Sequence, residues 1–225
     1  MMSKITNFEM DLSREIKSRK KKLKLWKEKD GERAKIIIKL LHGMNFSNVL
    51  DIGCGFGLCM KMLSKQCKKI IGLDINPVAK EIFPELKIKK IDLNSGKLPF
   101  KSKTFDLVIC TETLEHIFYP NFILKEIKRI LKDEGTAIIS LPNDYNLSEK
   151  FNFLIGRKLT QHDIDSFGHH FVIGFKQAKD FVCNEFKIID CDYQYFGGKM
   201  RYLKFLKYIK KDLVAQNLIM KVKKR

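Results

Sequence analysis

The chain contains no apolar run approaching the roughly 18–20 residues that a membrane span needs, so no spanning helix is expected. Its first residues, MMSKITNFEMDLSREIKSRKKK, carry early acids and no apolar core, which reads against a secretory signal. The six cysteines, at 54, 59, 67, 110, 183 and 191, form no CxxC pair. Most sit in apolar contexts, so reduced thiols in a cytoplasmic protein are expected and a zinc site is not. There is no internal repeat and no linker rich in Pro, Gly or Ser. A length of 225 residues suits one domain with a proper core.

Acid is the other scarce commodity. Lysine and arginine number 44 against 26 aspartates and glutamates, a net charge of +18. The imbalance belongs to the ends. Residues 1–40 hold 13 basic and 6 acidic side chains, residues 198–225 hold 10 and 1, and the centre is nearly neutral. Basic ends could attract nucleic acid, anionic lipid or a phosphorylated substrate; a solvated lysine-rich helix surface explains them as well.

Residues 11–43 read as helix, first very basic, then apolar at Ile36, Ile37, Leu40 and Leu41. Runs rich in Val, Ile and Leu at 46–52, 69–74, 87–92, 105–110 and 136–141 read as strands. Helical patterns lie between them at 58–67, 77–83 and 120–132. This alternation indicates βαβ units and a mostly parallel sheet, with every strand's C-terminal end on one edge. Residues 142–174 break the alternation with a long aromatic- and histidine-bearing stretch, as expected of a substrate-side insertion or lid. A helix near 175–184 and a strand near 185–193 follow. Residues 199–225 read as a basic helix and a last strand, one long amphipathic helix over 199–224 being the alternative.

The most telling segment is VLDIGCGFG, residues 49–57. An apolar run ends in Asp51 and breaks into Gly53, Gly55 and Gly57, as where backbone must come close to a ligand. The glycines fall as GxGxG after an acid, not as the GxGxxG of dinucleotide dehydrogenases. Further acids or polar turns close IIGLDIN (70–76), KIDLN (90–94) and FDLVICTETLEH (105–116). Taken alone, each acid is also a good helix cap or turn former.

With these four motifs in order, residues 35–195 resemble the class I S-adenosylmethionine-dependent methyltransferases, in particular the small type 11 branch. The resemblance implies an α/β fold: a Rossmann-like three-layer sandwich whose seven-stranded sheet is mostly parallel with an antiparallel last strand. Residues 1–34 are then a basic helical extension and 35–225 the methyltransferase domain. The implied cofactor is S-adenosyl-L-methionine. Asp51, Gly53, Cys54, Gly55, Gly57 and Thr111 would meet its methionine and ribose portion, Asp74 its ribose hydroxyls, Ile75, Asp92 and Leu93 its adenine. His116 is the candidate catalytic base. In ubiquinone O-methyltransferases and in RNA 3′-terminal 2′-O-methyltransferases, an ExxEH run such as Glu112–His116 supplies divalent-metal ligands, with His169 or His170 as a further one. Among type 11 enzymes generally the pair Glu115-His116 shapes the pocket without metal, and no metal is expected here. The (N/D)PP(Y/F) signature of nitrogen-methylating DNA and protein enzymes is missing. The expected acceptor is therefore a small or lipid-linked molecule, taken at oxygen, with the basic ends contacting anionic membrane. RNA methylation is the alternative, and a catalytically idle cofactor-binding module a third.

Overall fold

A computed structural model describes residues 31–76, 79–157, 169–195 and 211–225. Helix α1 covers residues 31–40; the basic stretch expected before it lies outside the described residues. The chain then alternates β1 (Phe46–Ile52), α2 (Leu58–Leu63), β2 (Cys67–Asp74), α3 (Ala79–Ile82), β3 (Lys87–Lys90) and β4 (Phe105–Cys110). After these come α4 (Pro120–Ile130), β5 (Leu131–Pro142), α5 (Leu147–Leu154), α6 (Phe175–Cys183), β6 (Phe186–Tyr195), α7 (Lys211–Val214) and β7 (Ala215–Lys224).

The seven strands form one sheet in the order β3-β2-β1-β4-β5-β7-β6. All pairings are parallel except those of β7, which runs antiparallel to both β5 and β6. The α/β sheet expected from the sequence is therefore present, antiparallel last strand included. Strand β7 is also the choice between the two readings of the C-terminus: residues 215–224 are strand, and Asn217 and Gln216, which interrupt a helical stripe, sit on it without conflict. The proposed helix before it lies, up to residue 210, outside the described residues.

Side chains alternate across the sheet with the period of two that a strand imposes. On β4, Leu107 and Ile109 enter one apolar cluster with Ile37 and Leu41 of α1. Val108 and Cys110 enter the other, with Ile123, Leu124 and Ile127 of α4 and Ala178 and Val182 of α6. Two apolar layers, each roofed by helices, make the sandwich. Pro120 opens α4 at a position where its missing N–H is no loss. The helix stops at Ile130, two residues sooner than the pattern suggests. Leu131 is already opposite Phe105, and a bulge separates that pair from the Leu107–Thr136 pair where the regular ladder starts.

Register brings the chemistry to one edge. Asp51 stands beside Gly72 on one neighbour and Ile109 on the other, and Asp74 closes β2 opposite Lys90. The ends of β1, β2, β3 and β4, with the turns that follow them, share that edge.

Candidate active site

The turn after β1 hangs from β2. The N–H groups of Gly53 and Cys54 both donate to the Leu73 carbonyl, at 2.8 and 3.0 Å. Gly53 has φ +69, and a Cβ there would stand 2.1 Å from Thr113 Oγ1, so glycine is required by the turn after β4 crossing over it. Gly55, at φ +50, differs: no atom lies within 4 Å of where its Cβ would be, because it borders open space. Gly55 also lines a cavity of about 300 Å³. Its wall includes Asp51, Gly53, Cys54, Gly55, Asp74, Ile75, Asp92, Leu93, Thr111 and His116, ten of the eleven residues that the sequence marks. Gly57 is not in that wall. A Cβ on it would meet Leu86 and Ala79, so it packs the turn against α3 and the loop before β3.

The acids have definite tasks. Asp51 is buried. Asp74 accepts the Gly55 N–H on Oδ2 and the Asn76 N–H on Oδ1, both at 2.8 Å, which fixes the glycine turn to the end of β2. Each oxygen keeps lone pairs for a ligand. Asp92 caps the short 3₁₀ turn Leu93–Ser95 by accepting from the Asn94 N–H at 2.9 Å, the local role that Asp favours anyway. Asn94 in turn accepts from the Phe118 N–H, tying the third strand's end to the turn after β4. Burial, then the charges of Asp51 and Asp74, push the Cys54 thiol far up; Cys54 is a wall and not a nucleophile.

The turn after β4 divides its ionisable residues. Glu112 has φ +51, a conformation L residues seldom take. Its N–H donates to Ser140 Oγ, whose hydroxyl donates back to Oε1 at 2.8 Å. Asn217 donates to Oε2 at 2.8 Å, and Arg33 Nη1 lies 3.6 Å from the same oxygen. Glu112 is thus engaged by α1, β5 and β7. Glu115 is its opposite: fully buried, with neither carboxylate oxygen meeting a hydrogen-bond donor. Burial, then the charge of Glu112, raises its pKa well above the usual carboxylate range.

Glu115, His116 and His169 can each bring one ligand atom to within 4.8 Å of the others. The His116 and His169 rings meet edge to face at 5.1 Å, and His169 Nδ1 lies 3.5 Å from Asp144 Oδ1. His170 turns away, stacking on Phe118 while its N–H donates to the Glu115 carbonyl. So His169 joins the group and Glu112 does not, although the spacing alone would gather Glu112, Glu115 and His116 on one helical turn. The backbone is 3₁₀ only from Leu114, and Glu112 leaves it in the left-handed region. The ExxEH resemblance leaves a divalent cation as the alternative to the metal-free pocket expected from the sequence. The fully buried carboxylate without a donor, beside two imidazoles, suits one with three protein ligands.

Sequence reading missed Arg33 and Ala34, which line the cavity from α1, Ser140 and Asn217, which hold the turn through Glu112, and Asp144, which lies against His169. Arg33 is one of many cations in a basic helix, and no pattern singles it out.

This sheet order and glycine turn define the Rossmann-like methyltransferase fold. Residues 50–139 match the type 11 "Methyltransferase domain" family model. The chain is 36% identical over 165 residues to an uncharacterized protein of Methanocaldococcus jannaschii, covering 73% of this chain and 66% of that one. It is 25% identical over 127 residues to a ubiquinone biosynthesis O-methyltransferase of Pasteurella multocida, covering 49% and 52%. A solved structure of an S-adenosylmethionine-dependent methyltransferase from Archaeoglobus fulgidus superposes with a TM-score of 0.62 at 19% identity, over 89% of this chain and 98% of that one. The chain therefore carries a type 11 methyltransferase domain on the class I S-adenosylmethionine-dependent methyltransferase fold. It spans two thirds or less of the length of these two curated relatives.

Proposed function

We propose that this methyltransferase moves a methyl group from S-adenosyl-L-methionine to an oxygen of a small or lipid-linked acceptor. The observation that carries the reading is that His116 lines the same cavity as Asp51 and Asp74, while its ring also meets His169. The donor's sulfonium supplies an already activated methyl group. What remains for the protein is binding, alignment and removal of the acceptor's proton. Asp51 suits the cofactor's ammonium group, and the Arg33 guanidinium its carboxylate, the two charges of the methionine end meeting their opposites. The free lone pairs of Asp74 suit the ribose hydroxyls. Half-exposed Ile75 and buried Leu93 suit the adenine faces, and the backbone around Asp92 and Asn94 its edge. His116 takes the acceptor's proton. The cytoplasm is its proposed place, since all six cysteines are free thiols and that compartment keeps them so.

Labelled-methyl transfer from S-adenosylmethionine into lipid, RNA, protein and small-molecule fractions of a cell extract tests the reading. Label in the lipid or small-molecule fraction is expected. Label in RNA alone would replace the reading with RNA methylation; tight cofactor binding without label anywhere would leave a binding module.

A second reading rests on Glu115, whose two buried oxygens meet no donor. Glu115, His116 and His169 would hold a divalent cation, and Asp144 would orient His169. Such a cation would supply Lewis acidity toward an acceptor oxygen. Calorimetric titration of Mn²⁺ or Zn²⁺ should show one site that His169→Ala abolishes while cofactor affinity persists. No heat of binding would leave the imidazoles to act alone.

A further inference from the structure

The helix after β5 is built inside out. In α6 the apolar Phe175, Ala178 and Val182 face the core, and in α4 Ile123, Leu124, Ile127 and Ile130 do so, with Glu126 buried beside them against Arg129. In α5 and its continuation the carboxylate of Glu149 is buried, whereas Phe151, Phe153, Leu154 and Ile155 are exposed, Leu154 to 80%. Among the described residues, nine of the eleven exposed large hydrophobic side chains lie in only three places: 118–122, 145–155 and 172. These places are knit together at the cavity's edge. His116 and Ile117 are in the cavity wall and Phe118 follows them; Phe118 stacks on His170 at 4.5 Å, and Tyr145 lies against Gly174.

Among the described residues of 118–125, 141–157 and 169–174, every exposed charge is positive. Lys125, Lys150 and Arg157 are exposed, while both carboxylates of residues 141–157, Asp144 and Glu149, are buried. An outward apolar helix face with a basic rim is the pattern of an interfacial helix resting on anionic lipid. A second copy of this chain is a poor occupant, because each copy carries a net charge of +18.

We propose that α5 and the 118–122 turn dock on an anionic bilayer, setting the cavity at the surface from which a lipid-linked acceptor is presented. The proposal rests on the acceptor reading above, and it assigns membrane contact to this surface and not to the basic ends. The apolar side chains enter the headgroup boundary, Lys150 and Arg157 meet lipid phosphates, and the acceptor reaches His116 without leaving the bilayer.

The test is co-sedimentation of the full chain with vesicles of phosphatidylcholine alone and of phosphatidylcholine containing phosphatidylglycerol, in parallel with calorimetry of S-adenosylhomocysteine. The parent should bind the anionic vesicles, and the Phe151→Ser/Phe153→Ser/Leu154→Ser protein at least tenfold more weakly, with cofactor affinity unchanged as proof of folding. Lys150→Gln/Arg157→Gln should weaken binding to anionic vesicles while leaving cofactor affinity unchanged. Absence of vesicle binding by the parent overturns the proposal. So does undiminished binding by the triple variant, which would assign it to the basic ends. An oligomer that the triple variant dissolves would make the surface a protein interface, also overturning it. Methyl transfer to the lipid fraction is scored separately. If it persists without vesicle binding, the docking surface fails and the acceptor reading stands; vesicle binding without transfer to lipid or small molecules fails the acceptor reading alone.

Discussion

Two glycines separated by a single residue in the chain, Gly53 and Gly55, should fail in different ways when given a methyl group. At Gly53, φ +69 places an alanine in the left-handed region, costing about 1–2 kcal/mol. The new Cβ would also lie 2.1 Å from Thr113 Oγ1 and 2.8 Å from its Cγ2, so Thr113 must move. Its buried hydroxyl, 2.9 Å from the Thr111 carbonyl and 3.2 Å from that of Ile52, then loses its bonding, about 1 kcal/mol more. The sum for Gly53→Ala is roughly 2–3 kcal/mol, at about 2–4 °C of melting temperature per kcal/mol for a chain of this size. At Gly55, φ +50 carries a similar backbone cost of about 1–2 kcal/mol, but no atom lies within 4 Å of the added carbon. Gly55→Ala should therefore melt higher than Gly53→Ala, yet bind S-adenosylhomocysteine at least about tenfold more weakly, since its Cβ narrows the cavity. Adding Thr113→Ala to Gly53→Ala removes Oγ1 and Cγ2, leaving only a 3.0 Å contact with Cβ, and should recover part of the lost stability. Thermal melts and calorimetry of the four proteins decide it. A Gly53→Ala protein as stable as Gly55→Ala, or a Gly55→Ala protein with unimpaired ligand affinity, refutes the division of labour.

Asp74→Asn should weaken cofactor binding about 10- to 100-fold, the worth of roughly one or two charge-assisted hydrogen bonds; an unchanged calorimetric Kd would remove Asp74 from the ribose site. His116→Gln should lower kcat by about 10²–10⁴ while leaving cofactor affinity alone, and equal losses in both would make His116 a structural wall. Glu126 accepts from Arg129 Nε and Nη2, both at 2.7 Å, and from the Leu98 N–H at 2.8 Å. The Arg129 hydrogen bonds hold its pKa below the usual carboxylate range against the opposing effect of burial. A depressed carboxylate stabilises the fold above its unfolded pKa, and that stability disappears as pH falls through its folded pKa. Glu126→Gln should therefore cost about 1–3 kcal/mol near neutrality, and the two melting curves should converge below the carboxylate range. A gap that stays constant as the pH falls contradicts this.

What the sequence reveals and what it hides follow from the reach of the forces involved. Strands buried on both faces advertise themselves as unbroken Val/Ile/Leu runs, so β1 and β4 begin and end where the runs do. The cofactor side is legible for a related reason: glycine and aspartate at strand ends are demanded by local backbone geometry, and local geometry is written in consecutive residues. The acceptor side depends instead on pairings between distant segments. Nothing near Glu115 announces that His169 will face it and His170 will not; a 3₁₀ turn, a left-handed Glu112 and the Asp144 carboxylate decide it. Nor does Glu112 disclose that Ser140, Asn217 and Arg33 will engage it from three elements. The outward face of α5 lies between these extremes. Its phenylalanines are plain in the sequence, but an apolar pattern does not say which way it faces. The burial of Glu149 beside the exposure of Phe151, Phe153, Leu154 and Ile155 is what shows that FNFLI faces outward. Donor chemistry is thus fixed by short-range constraints that one chain displays openly. The acceptor side depends on how residues 142–157 and 169–174 meet the turn after β4, contacts between distant segments that no run of consecutive residues displays.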